Sequence, residues 1–358
     1  MKIKKIAALF LSGVMTAALL TGCGGVNKDE VVATFDETEV TLGIANFAAR
    51  FEQASYDDFY VAYFGEDVWS SDMYGDGTTM ESSVKDEVIQ NLYDMYVLEA
   101  HMAEYDVELT AEEKSAMETA AKEFIAANDK DALDALGADE EIVYKYLELT
   151  TIQNKMYQAI VAGVDTNVSD EEANTSAYSY VTVSKMVYNE EDGSYVDYTD
   201  EDLAEIKATV EEFATEAQET SLEEAAEQYA YTVETNTFTA DDTELEEVVL
   251  TALEGLDEGE ISTVIDAETD YYVVRLDAKT DENATENTRQ EIISERQSAQ
   301  YQEVLEAWKA EHTWTLKDEV WAKVTFDNLF TTIVESTEEA EEELTESTEG
   351  VVIETTEE

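Results

Sequence analysis

Tyr178-Ser-Tyr-Val-Thr-Val-Ser-Lys-Met-Val-Tyr188 is the stretch on which the fold of this chain turns. It is rich in β-branched and aromatic residues, and apolar positions alternate with polar ones, the pattern of a strand. Upstream, between about Ile44 and Val161, nothing reads as a strand. Downstream, short helices and strands alternate. Asn189–Asp197 is a polar turn around Gly193, and 200–219 and 221–229 are helical. Residues 231–239 are strand-like and 244–253 helical. Leu256-Asp-Glu-Gly-Glu-Ile-Ser262 turns into Val264, and Tyr271–Leu276 is a closing strand. The order β-α-α-β-α-β-β over 177–280 predicts an α+β module, with short helices covering one antiparallel sheet.

Working outward, residues 31–176 predict a mainly helical domain. Val31–Phe35 is strand-like, Asp36-Glu37-Thr38 turns it, and Glu39-Val40-Thr41 begins the next element. Ile44, Phe47, Ala48 and Phe51 recur at helical spacing. Val84, Val88, Leu92, Met95 and Tyr96 stripe a longer helix, Met80 to Tyr105. Thr110 with Glu113 forms a capping box at a helix start, and Ser169 with Glu172 repeats it. Asp139–Val161 is a further helix. Beyond the module, 281–288 reads as a polar linker, Arg289–Glu311 as a long helix and Trp314–Phe326 as a strand-bearing segment, together making residues 281–330. Residues 331–358 are Glu/Thr/Ser-rich, and no basic residue follows Glu335, the composition of a disordered acidic tail.

The chain opens Met1-Lys-Ile-Lys-Lys5, followed by an uncharged apolar run, Ile6–Leu20. That run is shorter than the roughly 20 residues a span needs. A basic start, an apolar middle and small residues before a cut form a secretory signal, residues 1–22. Leu20-Thr-Gly-Cys23 resembles the bacterial lipobox, which implies cleavage after Gly22 and a lipid on Cys23. Cys23 is the only cysteine of the chain, so it has no intrachain disulfide partner. Acylation accounts for it and adds chains that partition into lipid. Residues 23–30 then read as a tether, and membrane attachment is through Cys23.

Twenty Lys and Arg stand against 86 Asp and Glu, a net charge of −66. Loss of Lys2, Lys4 and Lys5 with the leader leaves 17 basic residues and −69. Such a surface repels phosphate, so a nucleic-acid partner is excluded. No residue is proline, and the two histidines, His101 and His312, read as solvated residues far from other soft ligands. Zinc and thiol chemistry are therefore unsupported, and no cofactor is expected. No Asp-x-Asp-x-Asp-Gly calcium loop occurs, and Tyr74-Gly-Asp-Gly77 is too sparse for one.

The organisation resembles the extracytoplasmic foldases of the PrsA and SurA type, a helical chaperone domain interrupted by a parvulin-type (PpiC) prolyl isomerase module. Val32-Ala-Thr-Phe-Asp-Glu-Thr-Glu-Val-Thr41 is similar to the family's opening strand pair, with Glu37 where a turn glycine is usual. Ser221–Tyr229 is similar to the parvulin "DFEELAKKYS" helix, Leu256–Ser262 to "LKVGEIS" and Asp270–Leu276 to "GYHIIKL". The resemblance implies a membrane-anchored chaperone or foldase acting on unfolded exported proteins, in a Gram-positive setting. It implies an isomerase pocket at Lys185, Leu245, Val249 and Tyr272, where parvulins carry a His, a Met, a Phe and a second His. It also implies that the C-terminal helix returns to the first domain.

Isomerisation needs an apolar cup for the proline ring and polar groups that favour the twisted amide over a barrier of about 18–20 kcal/mol. Lys185 and Tyr272 cannot reproduce a paired-imidazole network, and Val249 makes a shallow cup. Weak or lost activity is therefore expected. In the helical part, Phe47, Phe51, Leu92 and Tyr96 either line a client groove or form the core. A solute-binding or structural surface lipoprotein is the alternative. The long helices without intervening strands speak against the alternating βα lobes of a solute binder.

Overall fold

The computed structural model describes residues 14–17, 26–72, 75–189 and 194–333. Cys23, the cleavage position and the tail from residue 334 lie outside the described residues. The chain divides into two compact units, Met1–Gly163 with Gln300–Glu358, and Val164–Ala299. The inserted unit is wider at both ends than the module drawn from sequence. The first unit is built from both ends of the chain, as a returning C-terminal segment requires.

In the first unit, β2 (Val31–Phe35) and β3 (Thr38–Thr41) form an antiparallel hairpin. Asp36 turns it with a left-handed φ of 49°, a region Asp tolerates better than most residues. β10 (Trp314–Leu316) pairs antiparallel with the free side of β2, so the C-terminal segment completes a three-stranded sheet. Five helices follow β3: α1 (Leu42–Phe64), α2 (Met80–Ala100), α3 (Ala111–Ala127), α4 (Lys130–Leu136) and α5 (Glu140–Val161). The Thr110–Glu113 box caps α3 as the sequence reading expects. α2 stops at Ala100, and a 3-10 turn takes Met102–Tyr105. α4 was invisible to periodicity because seven residues show under two turns of pattern; Asp129 caps it and Gly137 ends it with φ 65°. β1 (Val14–Ala17) pairs antiparallel with β11 (Phe330–Ile333).

The core of this unit joins Val32, Leu42, Leu92, Leu98 and Leu149 to Leu305, Trp308, Trp321, Val324 and Phe326 from the returning segment. A polar spine locks that segment to α1. Buried Arg50 donates to the carbonyls of Thr325 and Asn328 at 2.6 and 2.7 Å and lies 4.8 Å from the Phe330 ring centre. Burial pulls its pKa down to about 10, so it remains charged at neutral pH. Asp57 accepts from Trp69 Nε1 and Phe330 N, each at 2.6 Å, and from Gln53. Burial holds the Asp57 carboxyl above the usual range despite those donors.

The histidines are not solvated. His101, 6% exposed, stacks on Trp308 with ring centres 4.3 Å apart, and its Nε2 meets Nε2 of His312 at 2.9 Å. His312 Nδ1 is 2.7 Å from Asp36 Oδ2 and His101 Nδ1 is 2.6 Å from Glu104. The chain brings the two together across 211 positions, a distance no sequence window spans. The described part of the expected tether is likewise fixed, through Lys28 to Asp139, Glu30 to Lys323 and the backbone of Leu42.

The second unit holds α6 (Asp170–Ala173) and a four-stranded antiparallel sheet in the order β7-β4-β9-β8. The strands are β4 (Ser176–Ser184), β7 (Glu234–Phe238), β8 (Ile265–Asp266) and β9 (Asp270–Ala278). α7 (Asp200–Glu219) and α8 (Leu222–Tyr229) cover one face and α9 (Glu247–Glu254) the other. The expected strand 178–188 is two elements. The main chain of Lys185 bonds to Thr269 and Tyr198 rather than continuing the ladder. β5 (Met186–Asn189), from the end of the expected strand, then pairs antiparallel with β6 (Ser194–Asp197), which lies in the expected turn.

The expected polar linker 281–288 is helical. α10 runs from Glu282 to Lys309 because Asp281 caps it and Thr285 and Thr288 bond to Thr175. Arg289 reaches Val168 and Asp170, and Arg296 reaches Glu172, so residues on both flanks of the module belong to this unit.

Candidate functional site

Strand alternation sorts the module's candidate residues. On β9, Tyr271 faces the core under α7 and α8, with Val181, Val210 and Phe213. Its neighbour Tyr272 faces the core under α9, where Leu245 and Val249 also pack. Three of the four expected pocket positions therefore share a face.

Lys185 does not join them. Its ammonium sits 4.7 Å from the centre of the Tyr271 ring, on the other face. It bonds to Asp266 at 2.5 Å and to the carbonyl of Ala267, while Lys207 of α7 takes the other Asp266 oxygen at 2.8 Å. The two lysines hold the Asp266 carboxyl below the usual range through these bonds, Lys185 first. Lys185 is thus engaged in a structural ion pair.

On the face under α9, Leu245 and Tyr272 are half-buried. Val249 is 1% exposed. Tyr178 packs edge-on to Phe238 at 5.7 Å and against Tyr180 at 5.3 Å, and Tyr180 lies 6.2 Å from Tyr272. Tyr180 donates its hydroxyl to Glu234 at 2.7 Å, a bond that, with burial, pushes its pKa up to about 12. Burial raises Tyr178 to about 12 and also raises Tyr272, so all three phenols stay protonated at neutral pH and act only as neutral hydrogen-bonding groups. Tyr178 and Tyr180 escaped the sequence reading of the site, although the period of two through Tyr178, Tyr180 and Thr182 already placed them on one face.

In the helical unit Phe47 (1% exposed), Leu92 (1%) and Tyr96 (7%) are core side chains. Phe51 is half-buried and stacks on Phe47 at 5.6 Å. Phe47 and Phe51 pack with Phe124 and Tyr146, while Leu92 and Tyr96 belong to the main core of the unit; Leu92 also lines a small open pocket of about 230 Å³ with Ala48, Val88, Met95 and Tyr146. Another concave surface lies between α3 and α5. It is a cleft of about 610 Å³ lined by Val107, Ala116, Met117, Leu147 and Ala159, with the Glu113–Lys155 pair among its walls. A second exposed surface is aromatic. The last two turns of α1 present Tyr56, Phe59, Tyr63 and Phe64, between 42% and 73% exposed. Among the described residues no group of three His, Cys, Asp or Glu is placed to hold a metal ion. No described helix is long and apolar enough to cross a membrane.

Against known proteins, residues 185–289 match the family model of the PPIC-type PPIase domain. No curated protein matches the chain. Among solved structures it is similar to the foldase protein PrsA of Lactococcus lactis at 13% identity and a TM-score of 0.34, over 83% of this chain and 99% of that one. PrsA of Streptococcus pneumoniae matches at 20% identity and 0.28, over 72% and 98%. The peptidylprolyl isomerase PrsA of Bacillus cereus matches at 17% and 0.30, over 70% and 94%. The chain thus carries a PPIC-type PPIase domain, the parvulin-type module that the sequence resemblance implied.

Proposed function

We propose that this protein is a foldase of the cell exterior that holds unfolded exported chains, lipid-anchored through Cys23, with an isomerase module that turns over slowly or not at all. The observation that carries the reading is the domain match at 185–289, joined to a helical body that keeps an apolar cleft and an aromatic face exposed. Weak isomerisation follows from the site's own chemistry. No imidazole is present in the module, Lys185 is spent on Asp266, and Val249 is buried where an open cup is needed. Preorganised polar groups aimed at the twisted amide are the main source of such catalysis, and the face under α9 offers neutral phenols and apolar packing.

Anchoring follows from the Leu20–Cys23 tetrad. Cleavage after Gly22 also removes β1, leaving β11 without that partner in the mature chain. Fatty-acid labelling of the expressed protein tests the anchor: label is expected on the native chain and absent from Cys23→Ala, and an unlabelled native chain overturns it.

Refolding of a denatured basic secreted protein, limited by proline isomerisation, tests the rest. Near-stoichiometric chain is expected to raise the soluble yield while leaving the slow refolding rate unchanged. Catalytic acceleration comparable with an active parvulin, lost in Tyr272→Ala or Val249→Ala, would sink the weak-isomerase reading. An unchanged yield would sink the holding role.

A further inference from the structure

The C-terminal half of α1 carries aromatic residues at 56, 59, 60, 63 and 64, the i, i+3, i+4, i+7, i+8 spacing of a single helix face. On most helices that face is buried. Here Tyr60 turns inward against Trp69 at 5.6 Å, while Tyr56 is 42%, Phe59 55%, Tyr63 73% and Phe64 55% exposed. The rings support one another, Tyr56 on Tyr60 at 5.3 Å and Phe59 on Tyr63 at 4.7 Å, so they form one continuous patch. Contiguous exposed apolar surface of this kind marks an interaction site.

The charge around the patch selects its occupant. From Phe51 to Val84 there is no Lys or Arg, while Glu52, Asp58, Glu66, Asp67, Asp72 and Asp76 fall in that stretch; Asp57 is buried near Arg50 and Glu81 pairs with Lys85. Aromatic faces within an acidic field attract Lys and Arg, whose alkyl stems cover the rings while their heads sit over the π-faces. The same field disfavours three other candidates. A second copy brings another −66, an anionic lipid surface is repelled, and the chain's own tail beyond residue 334 carries acids and no base. The patch from Tyr56 to Phe64 spans about 12 Å of helix, the length of roughly four extended residues. An exposed face of this length suits an extended segment bound weakly and released quickly.

We propose that this face of α1 binds extended, Lys/Arg-bearing apolar segments of unfolded polypeptides. The inference deepens the holding role proposed above and rests on it. The test is fluorescence anisotropy with a labelled peptide alternating Lys and Leu, and with its Glu-for-Lys counterpart, titrated with the full chain and with the Phe59→Ser/Tyr63→Ser variant. Unchanged thermal melting shows that the variant is folded, and if it melts early the single Tyr63→Ser variant replaces it.

The native chain is expected to bind the Lys peptide, to lose affinity between about 0.05 and 0.5 M salt, and to ignore the Glu peptide. The variant is expected to bind about tenfold more weakly, the loss of two ring contacts. Equal affinity in the variant overturns the site, as does equal binding of both peptides. It is also overturned by a native dimer that the variant dissolves, or by anionic vesicles binding more tightly than the peptide. If the site fails but the native chain still raises the refolding yield, the holding role stands. If it neither binds the peptide nor raises the yield, that role falls too.

Discussion

Asp57 shows how much one side chain can organise. It gathers the indole of Trp69, the amide of Phe330 and the side chain of Gln53 within the α1 helix that also presents Arg50 to the carbonyls at 325 and 328. Asp57→Ala leaves the Trp69 indole and the Phe330 amide without that acceptor in a buried setting, while Gln53 keeps the Asn328 carbonyl, and each unmet donor costs about 1–3 kcal/mol. Relief of Asp57's own burial offsets part of this, so the expected loss is about 2–4 kcal/mol in urea unfolding. A loss within experimental error would mean that this spine does not hold the returning segment. None of this was legible in the sequence, because the partners lie up to 273 positions apart and Asp57 reads as one acid among 86. The His101–His312 contact hid for the same reason.

Elements were more legible than residues where their signal is local. The Thr110–Glu113 box, the helix at 139–161 and the order of the parvulin-type module all came through, because caps and periodicity act within a few residues. The break of the 178–188 strand at Lys185 did not, since it depends on Thr269 and Tyr198 accepting and donating across the sheet. Nor did the helical start of α10, which needs Thr175 from the far side of the module.

Packing of α9 explains why the expected pocket reads differently in three dimensions. Val249→Phe introduces the residue type that the parvulin resemblance implies there, yet Val249 is packed among Phe238, Leu253 and Val274. The added ring is expected to overpack the site, destabilising the protein by about 1–3 kcal/mol without creating isomerase activity. A gain of turnover with unchanged stability would show an open cup there.

At the scale of the whole molecule the excess of acid governs behaviour. Among the described residues most basic side chains are engaged with carboxylates or carbonyls, as Lys185 and Lys207 are with Asp266. The Asp266 carboxyl is held below its usual 3.8, so the pairing stabilises the fold above that value and the contribution is lost as pH falls through the lowered folded pKa. Asp266→Asn is therefore expected to melt below the native chain at pH 7 and to converge with it as the pH falls below the lowered pKa of the native carboxyl. The gap is small, since exposed pairs contribute about 0.2–1 kcal/mol after screening. A gap that widens on acidification would contradict the assignment.

The same acidity sets the most direct test of the proposed role, light scattering from a denatured basic client diluted into the full chain. Near-stoichiometric suppression of aggregation is predicted at low salt, weakening at high salt and weaker still for an acidic client. Aggregation that proceeds unchanged at both salt concentrations would contradict the account.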